Sequence, residues 1–275
     1  MVYGYPALVS AIDLQLELPV TLEIKDLPTS IQEYQSLILD ISPLISSTIP
    51  VGSGLGSSAA LAVALSAIIS LKKTGKIQKK IIATSSYELE KFMHGTPSGV
   101  DNTVCTYGGL LWYRKETDRV RLFDTQTTLF KKRFFLISSG RPEETTKEMV
   151  QSVRELREAK IQYVESIFKE IEAVTRQLVT ALQDKDQENL KKLLTQNQRL
   201  LEKLPVVSSA THDLIHLLEH AGAAAKVAGA GGRKKGSGMI LAYHSDEMAF
   251  ESFLKSKSIS FQKTKLGAKG VTLHE

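Results

Sequence analysis

The chain has 275 residues, of which 42% are hydrophobic and 24% are charged, and its formal net charge is +5 at pH 7. This composition is typical of globular proteins and excludes the disordered and fibrous classes. Basic residues are interspersed with acidic ones rather than gathered in a stripe, which suits a small anionic ligand better than nucleic acid. The apolar run Ala59–Leu71 is too short for a membrane span, and the single Cys105 cannot form an intramolecular disulfide. No signal-peptide pattern opens the sequence, so we expect a cytoplasmic protein.

The first half of the chain is predicted to mix strands and helices. Alternating apolar residues predict paired strands within Ala7–Ile24, and a helical pattern follows over Asp26–Pro43. A brief strand over Ser46–Pro50 leads into a glycine loop, and a helix is predicted from the loop to about Lys73. The later elements predicted for this half are a helix over Lys76–Met93 and strands over Gly108–Arg114, Val120–Leu129 and Arg133–Ser138.

The second half is predicted to begin with long amphipathic helices. They cover Glu144–Leu182, in one or two pieces, and Asp186–Leu204. A helix over Ser209–His220 precedes KVAGAGGRKKGSGMILAYH, which reads as strand, glycine loop and strand, and a final helix covers Glu247–Ser256. The change of character predicts an N-terminal domain over residues 1–138 and a C-terminal domain over residues 139–275, each mixing α and β structure.

The segment PVGSGLGSSAA at Pro50–Ala60 joins a glycine loop to the start of a helix. Glycines let a backbone approach a ligand closely, and the first turn of a helix offers unpaired N–H groups at the positive end of its dipole. The segment has neither the Gly-Lys-Ser/Thr ending of a Walker A loop nor G-x-G-x-x-G spacing. Glycines alone would fit a flexible connector, but the preceding proline and the Ser-Ser pair entering an alanine-rich helix favour a phosphate-binding loop.

Several segments, in this order, resemble signature motifs of the GHMP kinase superfamily. PVGSGLGSSAA resembles the second motif, HGTPSGVDNTVCTYGG at His94–Gly109 resembles the form of this region in mevalonate kinases, and KVAGAGG at Lys226–Gly232 resembles the third motif. MVYGYPALVSAIDL at the start resembles the end of the first motif. The resemblance implies an α+β fold with a ribosomal S5 domain 2-like N-terminal domain and a ferredoxin-like C-terminal domain. It also implies ATP-dependent phosphorylation of the 5-hydroxyl of (R)-mevalonate, a step of isoprenoid synthesis. The active site would lie in the cleft between the two domains.

The same resemblance assigns roles to individual residues. Asp101 would act as base or orient the acceptor hydroxyl, while Glu90 and Ser58 would bind Mg²⁺. The residues expected to bind ATP are Pro50, Gly52, Gly54, Leu55, Gly56, Ser57, Ser58 and Ala59, with Ser57 also capping the helix. The residues expected to contact substrate are Ser98, Thr146, Gly229, Ala230 and Gly231. For Ser98 a role in stabilising the turn is equally expected, and Thr146 also suits the start of a helix.

Two departures from the family pattern affect the expected activity. Arg233, Lys234 and Lys235 replace part of the usual glycine run, and we expect them to cover a surface hairpin. The sequence also starts inside the first motif, so the lysine strand that precedes Val2–Gly4 in mevalonate kinases is absent. A misassigned start is favoured over a truncation or an inactive paralogue. We therefore expect weak to moderate Mg-ATP binding, and slow or no turnover compared with an upstream-extended chain.

Other functions stay open at this point. The chain could phosphorylate phosphomevalonate, homoserine or a sugar, or bind ATP without catalysis. His216-Leu-Leu-Glu-His220 matches the H-x-x-E-H pattern of inverted zinc peptidases, although apolar residues around it explain the helix as a packed element. A homodimer is expected only from the family resemblance.

Overall fold

The computed structural model describes residues 5, 7–17, 45–49, 54–94, 97–114, 119–123 and 133–273. The predicted helix over Asp26–Pro43 and the ends of two predicted strands, beyond Glu17 and beyond Phe123, lie outside the described residues. So do Pro50 and Gly52 of the glycine loop.

The first half contains three described helices and two small antiparallel sheets. The helices are α1 (Ser57–Thr74), α2 (Lys79–His94) and α3 (Val100–Tyr107). Strands β1 (Ala7–Ser10), β4 (Leu110–Arg114) and β5 (Arg119–Phe123) form a sheet of order β1-β4-β5, and β2 (Leu16–Glu17) pairs with β3 (Ser46–Ser47). In the larger sheet Leu8 lies opposite Trp112, and Trp112 lies opposite Arg121.

Helix α1 is largely buried because it is apolar on nearly every side. Ala59, Ala62, Val63 and Leu65 are each at most 3% exposed. The helix packs against both α2 and α3, as expected for a helix without a wide polar face. It ends at Gly75, which is left-handed and whose N–H donates to the carbonyl of Leu71. This burial fixes the N-terminus of α1 beside the C-terminal end of α2 and the start of α3.

The second half packs helices on both faces of a four-stranded antiparallel sheet. Its helices are α4 (Thr146–Ala159), α5 (Ile161–Asp184), α6 (Gln187–Glu202), α7 (Ser209–His220) and α8 (Glu247–Ser256). Strands β6 (Arg133–Ser138), β7 (Ala224–Val227), β8 (Met239–Tyr243) and β9 (Phe261–Lys265) form the sheet in the order β7-β8-β6-β9. Phe134 and Tyr243 pack on one face with α5 and α6, whereas Phe135 and Ile240 pack on the other with α7 and α8.

The two halves of the chain are tied together by contacts that cross the sequence. The hydroxyl of Tyr5 donates to Glu165 at 2.6 Å, and that of Thr264 donates to Asp13 at 2.7 Å. The backbone N–H of Val271 donates to the carbonyl of Cys105 in α3. Strand β6 precedes residue 139 yet pairs with β8 and β9 of the second half. The domain boundary between residues 138 and 139 stays a prediction.

Most predicted elements that fall on described residues have counterparts. The bounds predicted for β6, α7 and α8 agree with the structure, and the predicted helix over Glu144–Leu182 is two helices that break at Lys160. Helix α3 and strand β9 were not predicted. No helix in the described ranges combines the length and apolarity that crossing a bilayer requires.

Candidate active site

The glycine loop before α1 takes a backbone shape that favours glycine. Gly54 and Gly56 have φ angles of 76° and 74°, in the left-handed region that side chains disfavour. Gly56 is the N-cap of α1, and the helix start has no side-chain capping hydrogen bond. The prediction that Ser57 caps this helix is therefore wrong, because a left-handed glycine takes that position and Ser57 is the first helical residue. The first-turn N–H groups are left uncapped by a side chain.

Ser58 and Glu90 form a polar pair between α1 and α2. The Ser58 hydroxyl donates to Glu90 Oε1 at 2.8 Å, and Glu90 is 6% exposed. The neighbouring Glu88 is instead exposed and pairs with Lys91 at 2.8 Å. A hydroxyl and a carboxylate placed together supply the oxygen ligands that a hard divalent cation prefers.

Asp101 lies in the first turn of α3, facing the glycine loop. Its side chain is exposed, and Gly99, with a φ of 82°, starts the helix. A β-carbon placed on Gly56 would lie 3.8 Å from Asp101 Cβ, so the two residues are neighbours. Burial, together with the charges of Asp101 and Glu90, raises the pKa of the Cys105 thiol to about 12. The negative charges of Asp101 and Glu90 therefore both influence the thiol of Cys105.

The second glycine loop, after β7, touches the first. A β-carbon on Gly229 would lie 3.1 Å from the carbonyl oxygen of Gly54, and Gly229 has a φ of 79°. Ala230 packs against the hydrophobic core of the second half. Gly231 is buried so tightly against Val206 that a β-carbon would lie 2.0 Å from the Val206 carbonyl oxygen. Of the three residues predicted in this loop, Gly229 lies at the junction of the two loops.

Ser98 and Thr146 occupy different settings. The carbonyl of Ser98 accepts a hydrogen bond from the Tyr113 hydroxyl at 2.9 Å, and its hydroxyl accepts one from the N–H of Val100. Ser98 thus stabilises the turn that leads to Asp101. Thr146 is exposed at the start of α4, but the cap is Thr145, which forms a capping box with Glu148. Thr146 is therefore the first residue of the helix, as expected, and its neighbour Thr145 is the N-cap.

The basic run after the second glycine loop lies on the surface. Arg233, Lys234 and Lys235 are exposed, and Lys235 Nζ lies 2.9 Å from a carboxylate oxygen of Glu143. The Lys235 ammonium group holds the pKa of Glu143 below its usual range. The backbone N–H of Arg233 donates to Glu144. These contacts agree with the predicted surface hairpin.

Two further residues near the site were not predicted. Tyr113, on β4, holds the turn before Asp101 through its hydroxyl, and the pKa of the Cys105 thiol on α3 is raised by burial and by the charges of Asp101 and Glu90. Their positions depend on how β4 and α3 fold back onto the loop, and no local sequence pattern carries that information.

Taken together, the folded chain gathers a left-handed glycine loop, an uncapped helix start, a hydroxyl–carboxylate pair and an exposed aspartate. An anion can bind at the helix start and a hydroxyl group can approach the aspartate. Residues 25–109, which include the first glycine loop, Ser58, Glu90 and Asp101, match the family described as GHMP kinases N terminal domain. This part of the chain is a GHMP kinase N-terminal domain.

Comparisons with individual GHMP kinases extend this match over the chain. The mevalonate kinase of Archaeoglobus fulgidus is 37% identical over 188 residues, which cover 68% of this chain and 61% of that protein. The crystal structure of L. major mevalonate kinase in complex with R-mevalonate superposes with a TM-score of 0.74 at 22% identity, covering 98% of this chain and 92% of that one. The Methanococcus jannaschii mevalonate kinase has a TM-score of 0.73 at 25% identity, with 96% and 92% covered.

These matches confirm the predicted GHMP kinase fold of α+β class. The sequence alignments cover only 50–61% of the length of the first curated relatives.

Proposed function

We propose that this chain catalyses ATP-dependent phosphorylation of the 5-hydroxyl of (R)-mevalonate to give 5-phosphomevalonate, in isoprenoid biosynthesis. The observation that carries the proposal is the approach of Asp101 to the glycine loop at the start of α1, where a β-carbon on Gly56 would lie 3.8 Å from Asp101 Cβ. A kinase needs such a juxtaposition of a phosphate site and a group that orients the acceptor hydroxyl. The names of the matching relatives support mevalonate as the acceptor.

The residues around α1 fit the phosphates of ATP with Mg²⁺. The N–H groups of Ser57, Ser58 and Ala59 belong to an uncapped first helical turn, which attracts an anion. The Ser58 hydroxyl and Glu90 carboxylate are oxygen donors held 2.8 Å apart, a set that suits Mg²⁺. When bound there, Mg²⁺ would neutralise part of the phosphate charge.

Asp101 is proposed to orient the 5-hydroxyl of mevalonate and to accept its proton. The side chain is exposed and so within reach of a substrate that enters beside the loop. Its proximity to Gly56 at the start of α1 sets it apart from a surface aspartate that only caps a helix.

The acceptor is proposed to contact Ser98, Thr146, Gly229, Ala230 and Gly231. Thr146 is exposed and takes no part in the capping box of α4, so its hydroxyl is not committed to that motif. Gly229 lies against Gly54, which brings the second loop to the phosphate-binding loop. Ser98 fixes the turn before Asp101.

An acceptor panel tests the proposed function. ADP release is measured with (R)-mevalonate, phosphomevalonate, homoserine and galactose as acceptors, in Mg-ATP. We expect mevalonate to give the highest kcat/KM. A higher value for any other acceptor would contradict the proposed substrate. Thermal stabilisation by Mg-ATP without acceptor-dependent ADP release would instead support a non-catalytic ATP-binding protein.

The proposal extends to a homodimer, which follows from the family resemblance, and to a cytoplasmic location. Sedimentation equilibrium should give a mass near twice that of the 30.3 kDa chain. A monomer at micromolar concentration would contradict it.

A further inference from the structure

A second constellation of chemically active side chains lies away from the glycine loops, where α6 meets α7. Glu202 is the last residue of α6, and His212 and His216 are one turn apart on α7. Potential ligand atoms of these three residues all lie within 4.8 Å of one another. We propose that Glu202, His212 and His216 form a binding site for a zinc-class divalent metal ion, separate from the nucleotide site.

The imidazole geometry suits a shared metal ion. The Nε2 atoms of His212 and His216 are 3.0 Å apart. Two nitrogens that are each about 2.0–2.1 Å from one tetrahedral zinc ion lie about 3.3 Å apart. A small movement that separates the two rings slightly is therefore enough to admit the metal. The i, i+4 spacing of the two histidines places both rings on one face of the helix.

The opposite edge of each ring faces a carboxylate. His216 Nδ1 lies 3.6 Å from Glu219 Oε2, and His212 Nδ1 lies 3.5 Å from Asp213 Oδ1. A proton on each Nδ1 can be attracted by its carboxylate. Both Nε2 atoms then keep a lone pair that can bind the shared metal ion. Histidine ligands of metals commonly have such a carboxylate partner, which fixes the ring and increases its basicity.

The charges around the cluster also favour a cation. Arg199 pairs with both Glu202 and Glu219, so the three groups carry one net negative charge before a metal binds. Glu219 Oε1 is buried and has no hydrogen-bond partner. A divalent ion would neutralise this excess, and imidazole nitrogens favour zinc-class metals over the Mg²⁺ that accompanies nucleotides.

This cluster differs from the zinc-peptidase pattern in the sequence. That pattern requires His216 and His220 as a ligand pair, but His220 is exposed and is not among the clustered residues. The folded chain instead pairs His216 with His212 and adds Glu202 from another helix.

The site would reinforce the connection between α6 and α7. Within this connection the carbonyl of Val206 accepts from Gly232 at 3.0 Å, and the hydroxyl of Ser208 donates to the carbonyl of Lys235 at 2.9 Å. The connection thus supports the second glycine loop. A metal that joins Glu202 to α7 should therefore stabilise the folded chain, since it binds a geometry that unfolding destroys.

Zinc binding to the tag-free, metal-stripped chain tests the proposal. Equilibrium dialysis against ZnCl₂, with excess MgCl₂ and no nucleotide, is followed by metal analysis. We expect one zinc per chain in the wild type and in the matched control His220→Ala. His212→Ala and His216→Ala should weaken zinc binding by about 100-fold or more. Even substitution of residues that only hydrogen-bond to metal ligands lowers metal affinity by about 10–100-fold.

Thermal unfolding provides a readout that does not depend on kinase activity. Zinc should raise the Tm of the wild type and of His220→Ala, and should leave the Tm of His212→Ala and His216→Ala unchanged. Circular dichroism checks that the variants are folded, which the partial exposure of both rings favours. Zinc binding that survives when His212→Ala and His216→Ala are combined would overturn the proposal. So would zinc binding that requires His220 or that excess Mg²⁺ abolishes.

Discussion

Asp101 combines a structural and a proposed chemical role in one side chain. As the acidic residue in the first turn of α3, it interacts favourably with the positive end of the helix. As an exposed carboxylate beside Gly56, it can reach an acceptor hydroxyl. Replacement by asparagine preserves the shape of the side chain and removes the charge that would accept the proton of the hydroxyl.

For Asp101→Asn we expect kcat with mevalonate to fall by about 100-fold or more, since positioned acid–base groups contribute about that much. Nucleotide affinity should change little, because the first-turn N–H groups of α1 are unaffected. Steady-state kinetics and calorimetric titration of Mg-ATP measure the two quantities. Retention of the wild-type kcat would contradict the role proposed for Asp101.

For Glu90→Gln we expect Mg²⁺-dependent nucleotide binding to weaken. The glutamine carbonyl can still accept from Ser58, so the fold should be kept, but the charge that attracts a cation is lost. The Mg²⁺ concentration for half-maximal nucleotide binding should rise by about tenfold, a factor worth about 1.4 kcal/mol. Glu88→Gln is the matched control on the same helix, since Glu88 is exposed and pairs with Lys91. Equal effects in both variants would argue against a specific role for Glu90.

At this scale, residue type and spacing predicted some features and failed on others. Glu90 and Ser58 were expected together from the motif pattern, and the structure places them in hydrogen-bond contact. The helix cap was mispredicted at Ser57, whereas Thr146 is the first residue of its helix, as expected. Neighbouring residues compete for a cap, and the choice depends on backbone angles such as the left-handed φ of Gly56, which adjacent serines and threonines do not reveal.

At the scale of elements, the two glycine loops are the parts that meet. Their contact lies between Gly54 and Gly229, which are far apart in sequence. The pattern around each loop predicted a strand or helix beside it, but only the packed fold brings the loops together.

Gly229→Ala should reduce both stability and nucleotide affinity. A left-handed alanine costs about 1–2 kcal/mol, and its β-carbon would press on the carbonyl of Gly54. Gly75→Ala is the matched control, because Gly75 is also left-handed, with a φ of 69°, yet has no atom within 4 Å of a β-carbon. Urea unfolding and Mg-ATP titration should show a stability loss in both variants and an affinity loss in Gly229→Ala alone. Unchanged nucleotide affinity in Gly229→Ala would contradict the proposed role of the loop contact.

Long periodic elements were predicted better than short ones. Helices α7 and α8 have clear apolar faces and side-chain N-caps at Ser208 and Asp246, so their bounds agree with prediction. Helix α3 has only eight residues, several of them β-branched, and starts at a left-handed glycine. Its buried residues and the C-terminal segment that bonds to Cys105 stabilise it, and such tertiary contacts override local propensity.

At the scale of the whole molecule, stability depends on groups buried between layers. Lys226 is largely buried on β7, and its Nζ donates to the carbonyl of Val227 at 2.7 Å. Burial lowers the pKa of Lys226 to about 8, compared with 10.5 for the free side chain. Folding therefore disfavours the charged form.

Lys226→Met should stabilise the protein in a pH-dependent way. Below pH 8 both states of the wild type hold the proton, so the full cost of burying the charge is present, about 3 kcal/mol. Between pH 8 and 10.5 the unfolded state binds the proton and the folded state has released it, so wild-type stability rises relative to the variant. Urea unfolding of both proteins at pH 7, 8.5 and 10 should show a shrinking advantage of the variant. A constant or growing advantage would contradict this account.

We propose that the glycine loop before α1, the Ser58–Glu90 pair and Asp101 act together to phosphorylate mevalonate. The most direct measurement is ³¹P and ¹³C NMR of the product after incubation with Mg-ATP and (R)-mevalonate. We expect a phosphate ester at carbon 5, formed by the wild-type chain and strongly reduced with Asp101→Asn. ADP accumulation without that ester, or equal formation of the ester by both proteins, would contradict it.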